Sequence, residues 1–158
     1  MAWYTINYVC GHTGSEQLYG KTSDRQSRIA WAERNKMCPD CYQKERDRER
    51  LEATAKAMEA NADLPALKGS IAQVAWAERI RATAKGCIEL AVGGYKGQVP
   101  TEQEMIDQAL TMLKRDDAKY WIDYRDELTT VSGCLARMAR KIAERRAREE
   151  GKAVLGLR

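Results

Sequence analysis

Cys10-Gly11-His12 is followed, after twenty-five intervening residues, by Cys38-Pro39-Asp40-Cys41-Tyr42. This stretch holds three of the five cysteines and the only histidine. Two short ligand pairs joined by a spacer are what a four-coordinate zinc site requires, because each pair turns around the ion and the spacer returns the chain to it. Thiolate and imidazole are also the donors that zinc favours over harder cations. Gly11 lets the backbone bend between the first two ligands. Pro39 suits the first turn of a helix, and Asp40 suits the positive end of that helix. The reading is a structural zinc ion held by Cys10, His12, Cys38 and Cys41. Four protein ligands close the coordination sphere and leave no position for a catalytic water.

Three other readings of the cysteines compete with this one. Disulfides belong to oxidising compartments, and the opening Met-Ala-Trp-Tyr carries no charged segment followed by an apolar one, as a secretory leader would. The expected location is therefore the cytoplasm, of a bacterial or phage-infected cell. A redox Cys-x-x-Cys needs a βαβ setting that this pattern lacks. Buried, unligated thiols are the third possibility.

The run from Tyr8 to Tyr42 resembles a treble-clef or zinc-ribbon finger, in which a hairpin carries the first ligand pair and the second pair opens a helix. Cys-Gly-His in the first knuckle departs from the four-cysteine form. The resemblance covers about a quarter of the chain and implies a structural metal with a nucleic-acid or protein contact. The remainder, with segments such as Trp76-Ala77-Glu78-Arg79-Ile80-Arg81 and Tyr120-Trp121-Ile122-Asp123, loosely resembles small proteins of bacterial phages and mobile elements, a likeness that implies no particular activity.

Composition sets the frame for the rest. Ala, Arg, Glu and Lys dominate, only three prolines interrupt the chain and there is no Phe, which predicts a mainly α protein with a small N-terminal β-hairpin. No apolar run reaches the length of a membrane span. The expected organisation is a zinc-finger hairpin with its helices over 1–62 and a helical domain over 63–158, the boundary lying at Asn61-Ala62-Asp63-Leu64-Pro65.

In chain order, Trp3–Val9 reads as a strand, His12–Ser15 as a turn and Gln17–Gly20 as the return strand. Ser23 with Gln26 predicts a capping box for a helix reaching about Asn35. A longer helix follows from Asp40 to about Ala60, and its run Lys44–Arg50, of alternating sign, reads as a solvated face. Ser70 and Gln73 box the next helix, with Ile71, Val74, Ala75 and Ile80 on its apolar stripe; Thr101 and Glu104 box another, with Met105, Ile106, Ala109, Leu110 and Leu113 inward. Between them, Gly93–Pro100 is glycine-rich and contains Lys96, but its spacing fits no phosphate-binding loop. A short aromatic helix is expected over Ala118–Asp126, then a basic helix to about Glu150 and a frayed tail from Gly151. Trp31, Trp76 and Trp121 lie forty-five residues apart, each with an acid two positions on, which reads as a shared packing role in the core or an interface.

Charge is unevenly distributed. Residues 100–133 hold four basic and eight acidic side chains, whereas 134–158 hold eight basic and three acidic. On the last helix, Val131, Leu135, Met138, Ala139 and Ile142 form one stripe, and Arg137, Arg140, Lys141, Arg145 and Arg148 are expected on the opposite arc, suited to phosphate contacts. No nucleophile is paired with a base and no cofactor motif is present, so the expected class is a non-enzymatic binding protein whose zinc is structural and whose partner is nucleic acid or a nucleoprotein. The alternative is a phage or mobile-element inhibitor or adaptor that binds a host defence nuclease, of the anti-CRISPR type. There the acids Asp116, Asp117, Asp123 and Asp126 would mimic nucleic acid. A third reading is a zinc-stabilised scaffold whose contacts use exposed Trp or Tyr. Cys87 and Cys134 lie in apolar helical patterns and read as buried thiols.

Overall fold

An antiparallel hairpin comes first, formed by β1 (Ala2–Asn7) and β2 (Thr13–Leu18), with Ala2 opposite Leu18 and Asn7 opposite Thr13. The turn is tighter than expected and lies earlier: the Tyr8 amide bonds His12 O at 2.9 Å and the Gly11 amide bonds Tyr8 O at 2.9 Å, so Thr13–Ser15 join the return strand. The computed structural model describes residues 2–154, and among these the chain is mainly helical. After the hairpin come α1 (Thr22–Asn35), α2 (Pro39–Ala60), α3 (Ile71–Gly93), α4 (Glu102–Leu113), α5 (Ala118–Asp123), α6 (Arg125–Leu128) and α7 (Val131–Val154). They form two compact units, Met1–Glu52 and Ala53–Arg158, divided within α2. No helix among the described residues is long and apolar enough to cross a membrane.

The first unit has a very small core of Ile6, Tyr8, Ala32 and Cys38, with Leu18 buried beside the hairpin. Helix α1 begins at Thr22 after an extended Lys21 and has no side-chain cap, so the Ser23–Gln26 box does not form: Ser23 is already inside the first turn. The other two boxes form as read, Ser70 with Gln73 and Thr101 with Glu104, each hydrogen-bonded in both directions.

The second unit is a helical cluster built around Trp121, which is fully buried. Ala77, Ile80, Ala84, Ile88 and Ala91 of α3, Met105, Ala109 and Met112 of α4, and Cys134, Met138 and Ile142 of α7 complete the core. Three alanines on the α3 stripe allow close approach by its neighbours, and the indole fills the space that remains. Two charged residues share the buried face of α3. Arg81, which is 1% exposed, donates to Pro65 O at 2.7 Å and Leu113 O at 2.9 Å, and its guanidinium lies 5.6 Å from the Trp121 ring centroid. Glu78 accepts from Asn61 Nδ2 at 2.6 Å, which ties the turn after α2 to α3. Gly133 sits where α7 crosses the end of α6; a Cβ there would lie 2.2 Å from Glu127 O.

Several expected positions differ. Ile71 is 92% exposed, because the first turn of α3 precedes the packed stripe. Leu110 is exposed, and Gln108 and Met112 take the buried face of α4 instead. The aromatic helix breaks at Tyr124 into α5 and α6. Of the three spaced tryptophans only Trp121 is core, while Trp31 and Trp76 are exposed. Helix α7 continues through Gly151 to Val154, so that part of the tail is helical; the rest of the tail, 155–158, lies outside the described residues. Cys134 is buried as expected and Cys87 is half-buried. Burial pushes the Cys134 thiol up to about 11.

Two expectations follow for stability. Trp121→Ala removes the largest fully buried side chain and should cost about 3–5 kcal/mol in denaturant unfolding. Glu104 pairs with Arg146 at 2.6 and 3.0 Å. That bond, together with the Thr101 amide, lowers its carboxyl from 4.5 to about 2. Because the folded state depresses this pKa, the stabilisation is complete above 4.5 and fades as pH falls toward 2. Melting curves of Glu104→Gln should therefore converge with those of the parent chain at the acid end of that window; a gap that stays constant from pH 7 to its lower end would contradict this role.

Candidate metal centre

The two knuckles are built by different local rules. In the first, Cys10 and His12 flank Gly11, whose φ of 79° is a left-handed conformation that glycine adopts without strain. The Val9 amide bonds Lys36 O at 3.1 Å, which fixes this loop against the segment leading into the second knuckle. In the second, Cys38 immediately precedes α2, Pro39 takes its first position and the Tyr42 amide bonds Cys38 O at 2.9 Å. The Cys41 amide donates to Cys38 Sγ at 3.3 Å, so this sulfur caps the helix as a serine hydroxyl would. Asp40 occupies the first turn as expected.

These rules bring together the four residues expected from the spacing. One ligand atom from each of Cys10, His12, Cys38 and Cys41 lies within 4.8 Å of all the others. His12 presents Nδ1, at 3.3 Å from Cys41 Sγ and 3.8 Å from Cys38 Sγ. In a tetrahedral zinc site with ordinary bond lengths a sulfur and a nitrogen lie about 3.5 Å apart, close to the two His12 distances, so the four residues lie near enough to hold a metal ion. All five cysteines are free thiols and no disulfide forms. The Cys38 amide donates to Cys10 Sγ at 3.3 Å; amide donors of this kind orient and stabilise thiolate ligands.

Electrostatics favour a cation in the cluster. The Cys38 amide and further hydrogen bonds lower the Cys10 thiol to about 6. The hydrogen bond between Cys38 and Cys41 raises Cys41 to about 11, since thiolates crowded together resist further ionisation. A divalent ion at the centre removes that repulsion. Beneath the cluster, the Tyr8 hydroxyl donates to Glu16 Oε1 at 2.7 Å and Glu16 pairs with Lys36. The bond to Glu16 pushes the Tyr8 phenol up to about 12. The same Tyr8 ring packs over Gly14 so closely that a Cβ there would lie 2.7 Å away.

The other expected site residues are dispersed. Arg137 is not on the outer arc of α7: it is 2% exposed, with Nε donating to Tyr120 Oη at 3.1 Å, Nη1 donating to Glu127 at 3.0 Å and the guanidinium 3.5 Å from the Tyr124 ring centroid. It lies within a turn of Cys134 and Met138, close enough to the packed face for its long side chain to be drawn in. Arg140 shares Glu127 at 2.7 Å and Lys141 pairs with Glu144 at 2.7 Å. Arg145 and Arg148 are exposed. Among the acids, Asp116 pairs with Lys68 and Asp123 with Lys119 at 2.5 and 2.6 Å, and Asp117 caps α5 through the Lys119 amide. Asp126 is exposed beside Arg125. No motif marks Arg81, Gln108 or Arg115; the available signal for Arg81 and Gln108 is that each falls on the apolar stripe of its helix.

No family model matches the chain, nor does any curated protein or solved structure.

Protein purified without added metal should contain one zinc per chain by elemental analysis, and Cys38→Ser should lose it. With so small a core, metal removal should also unfold the hairpin. A metal-free protein with an intact hairpin would refute the assignment.

Proposed function

We propose that the chain is a non-enzymatic binding protein in which a structural zinc ion closes a finger-like N-terminal unit and a basic helix contacts nucleic acid. The observation that supports the first half is the convergence of four protein donors, which would fill a tetrahedral sphere and leave no open position for substrate. Hairpin ligands from one knuckle and helix-start ligands from the other are also the arrangement of the treble-clef and ribbon fingers that the sequence resembles.

The nucleic-acid half rests on α7 with a reduced set of contacts. Arg137 is committed within the fold, so the phosphate-facing group is Arg140, Lys141, Arg145 and Arg148. Arg140 and Lys141 keep carboxylate partners at the surface, and exposed pairs of this kind exchange readily for phosphate.

A second reading, contact with a protein such as a host nuclease, is favoured by one specific feature. Trp31 and Tyr42, 60% and 55% exposed, line a groove of about 660 Å3 together with Met37. Exposed aromatic side chains on a rigid frame are typical anchors of protein interfaces. The acidic set supports this reading less, because Asp116, Asp117 and Asp123 already have partners in the fold.

Titration of labelled DNA and RNA at stepped salt separates the two. Under the first reading affinity falls steeply with salt, and Arg145→Glu with Arg148→Glu lowers the salt slope by roughly one for each phosphate no longer neutralised. No binding at about 50 mM salt would reject it. Under the second reading, Trp31→Ala with Tyr42→Ala abolishes binding to a protein target and leaves the salt profile unchanged.

A further inference from the structure

Helices α4, α5 and α7 enclose a pocket of about 190 Å3 in the second unit that none of the sequence motifs marks. Arg115, Arg137 and Lys141 line it, together with Tyr120, Tyr124 and Gln108. We propose that this pocket is a binding site for a phosphoryl group, one small tetrahedral oxyanion held by the three cations and the Gln108 amide.

The charge around the pocket is not balanced. Glu127 serves Arg137 and Arg140 together, and Glu144 serves Lys141. Among the described residues no carboxylate lies within ion-pair distance of Arg115, whose guanidinium lies 5.1 Å from the Tyr120 ring centroid. The three cations that line the pocket thus have two carboxylates within ion-pair reach, one of them shared with Arg140 outside it. Arg137 lies deepest. Burial opposes its charge, but hydrogen bonds with Tyr120 and Glu127 outweigh that, so it is firmly protonated. Its Nε and Nη1 are hydrogen-bonded and its guanidinium packs against the Tyr120 and Tyr124 rings, which holds the charge in place at the pocket wall.

Gln108 supplies an independent indication. It is 9% exposed, lines the pocket and has no side-chain hydrogen bond to any described residue. Its amide atoms are not sealed from solvent, so they stay available to a ligand that enters the pocket. An oxyanion in the pocket accepts from the Gln108 amide and neutralises the surplus positive charge. Tyr120 accepts from Arg137, which leaves its own O–H free to donate to the same anion. Planar guanidinium and ammonium donors are the usual pairing for phosphate oxygens. The volume lies below the range of roughly 300–1,000 Å3 typical of whole organic ligands, so the pocket takes the phosphoryl end while the remainder of the ligand stays outside. The site does not depend on α7 contacting nucleic acid. A small phosphate ester or the terminal phosphate of a strand carries the same chemistry.

The test is calorimetric titration of the full chain with inorganic phosphate at constant ionic strength, with thermal melting as a second readout. Saturable one-to-one binding and a rise in melting temperature are expected. Arg115→Gln and Lys141→Gln, at exposed and half-exposed positions, should each weaken binding about tenfold. Lys114→Gln, an exposed neighbour outside the pocket, should have no effect. Gln108→Leu should weaken phosphate binding without lowering the melting temperature of the free protein, which loss of a purely structural amide would not do. Absence of saturable binding, or equal loss in Lys114→Gln, would overturn the site and leave only diffuse surface charge. Matched oligonucleotides with a 5′-phosphate or a 5′-hydroxyl identify the source: a phosphate-dependent advantage that Arg115→Gln removes points to strand ends, and equal affinity for both points to a small ester.

Discussion

The N-terminal unit depends on one constraint: about fifty residues must be held by a core of only a few buried side chains. A two-stranded hairpin is marginal in water, and Ile6, Tyr8, Ala32 and Cys38 bury too little apolar surface to fix it against two helices. Convergence of Cys10, His12, Cys38 and Cys41 offers an answer, because a metal ion held by them would join the hairpin to the start of α2 where packing cannot. The local chemistry suits such an ion. The Cys38 sulfur caps α2 and the Cys38 amide supports Cys10. The pair Glu16 and Lys36 then holds Tyr8 beneath the cluster.

The second unit solves a different problem. The packed stripe of α3 alternates alanines with isoleucines, so its neighbours approach closely at Ala77, Ala84 and Ala91 while Ile, Met and Leu side chains fill the space between. Trp121 fills what remains, and Arg81 satisfies the carbonyls of Pro65 and Leu113 at the ends of two loops. A buried guanidinium is stabilising only while its partners stay in place, since removing one leaves an uncompensated group in the core. Arg81 therefore links the position of the turn after α2 to that of the turn after α4. Asn61, bonded to Glu78, does the same for the end of α2 itself.

How much can be read from the sequence follows from the range of each interaction. The metal ligands are legible because their signal is spacing along the chain, and the Ser70–Gln73 and Thr101–Glu104 boxes because capping is complete within four residues. The Ser23–Gln26 box fails for a local reason, the helix starting one residue before Ser23. Charged side chains are misleading wherever a distant partner decides their fate. Arg81 follows Ala77 by four residues and precedes Ala84 by three, the spacing of a core position, yet its charge suggests solvent. Measured from a stripe running Val131 to Ile142, Arg137 falls on the outer arc of α7, but the buried face centres on Cys134, Met138 and Ile142, and Arg137, three residues after Cys134, borders it and is drawn in by Tyr120, Tyr124 and Glu127.

The displacement of Arg137 changes what the basic C-terminal segment means. As a stripe, its cations would act through long-range attraction, which is non-specific and screened by salt. Placed instead with Arg115 and Lys141 around a small space, part of the same charge becomes directional, held by aromatic faces and hydrogen bonds. A site of this kind distinguishes a phosphoryl group from a monovalent ion by geometry, whereas a stripe cannot. The exposed arginines further along α7 keep the diffuse role. One helix thus carries two kinds of positive charge, and Tyr120 and Tyr124 near the break between α5 and α6 separate them, because only the residues they face are held in fixed orientation.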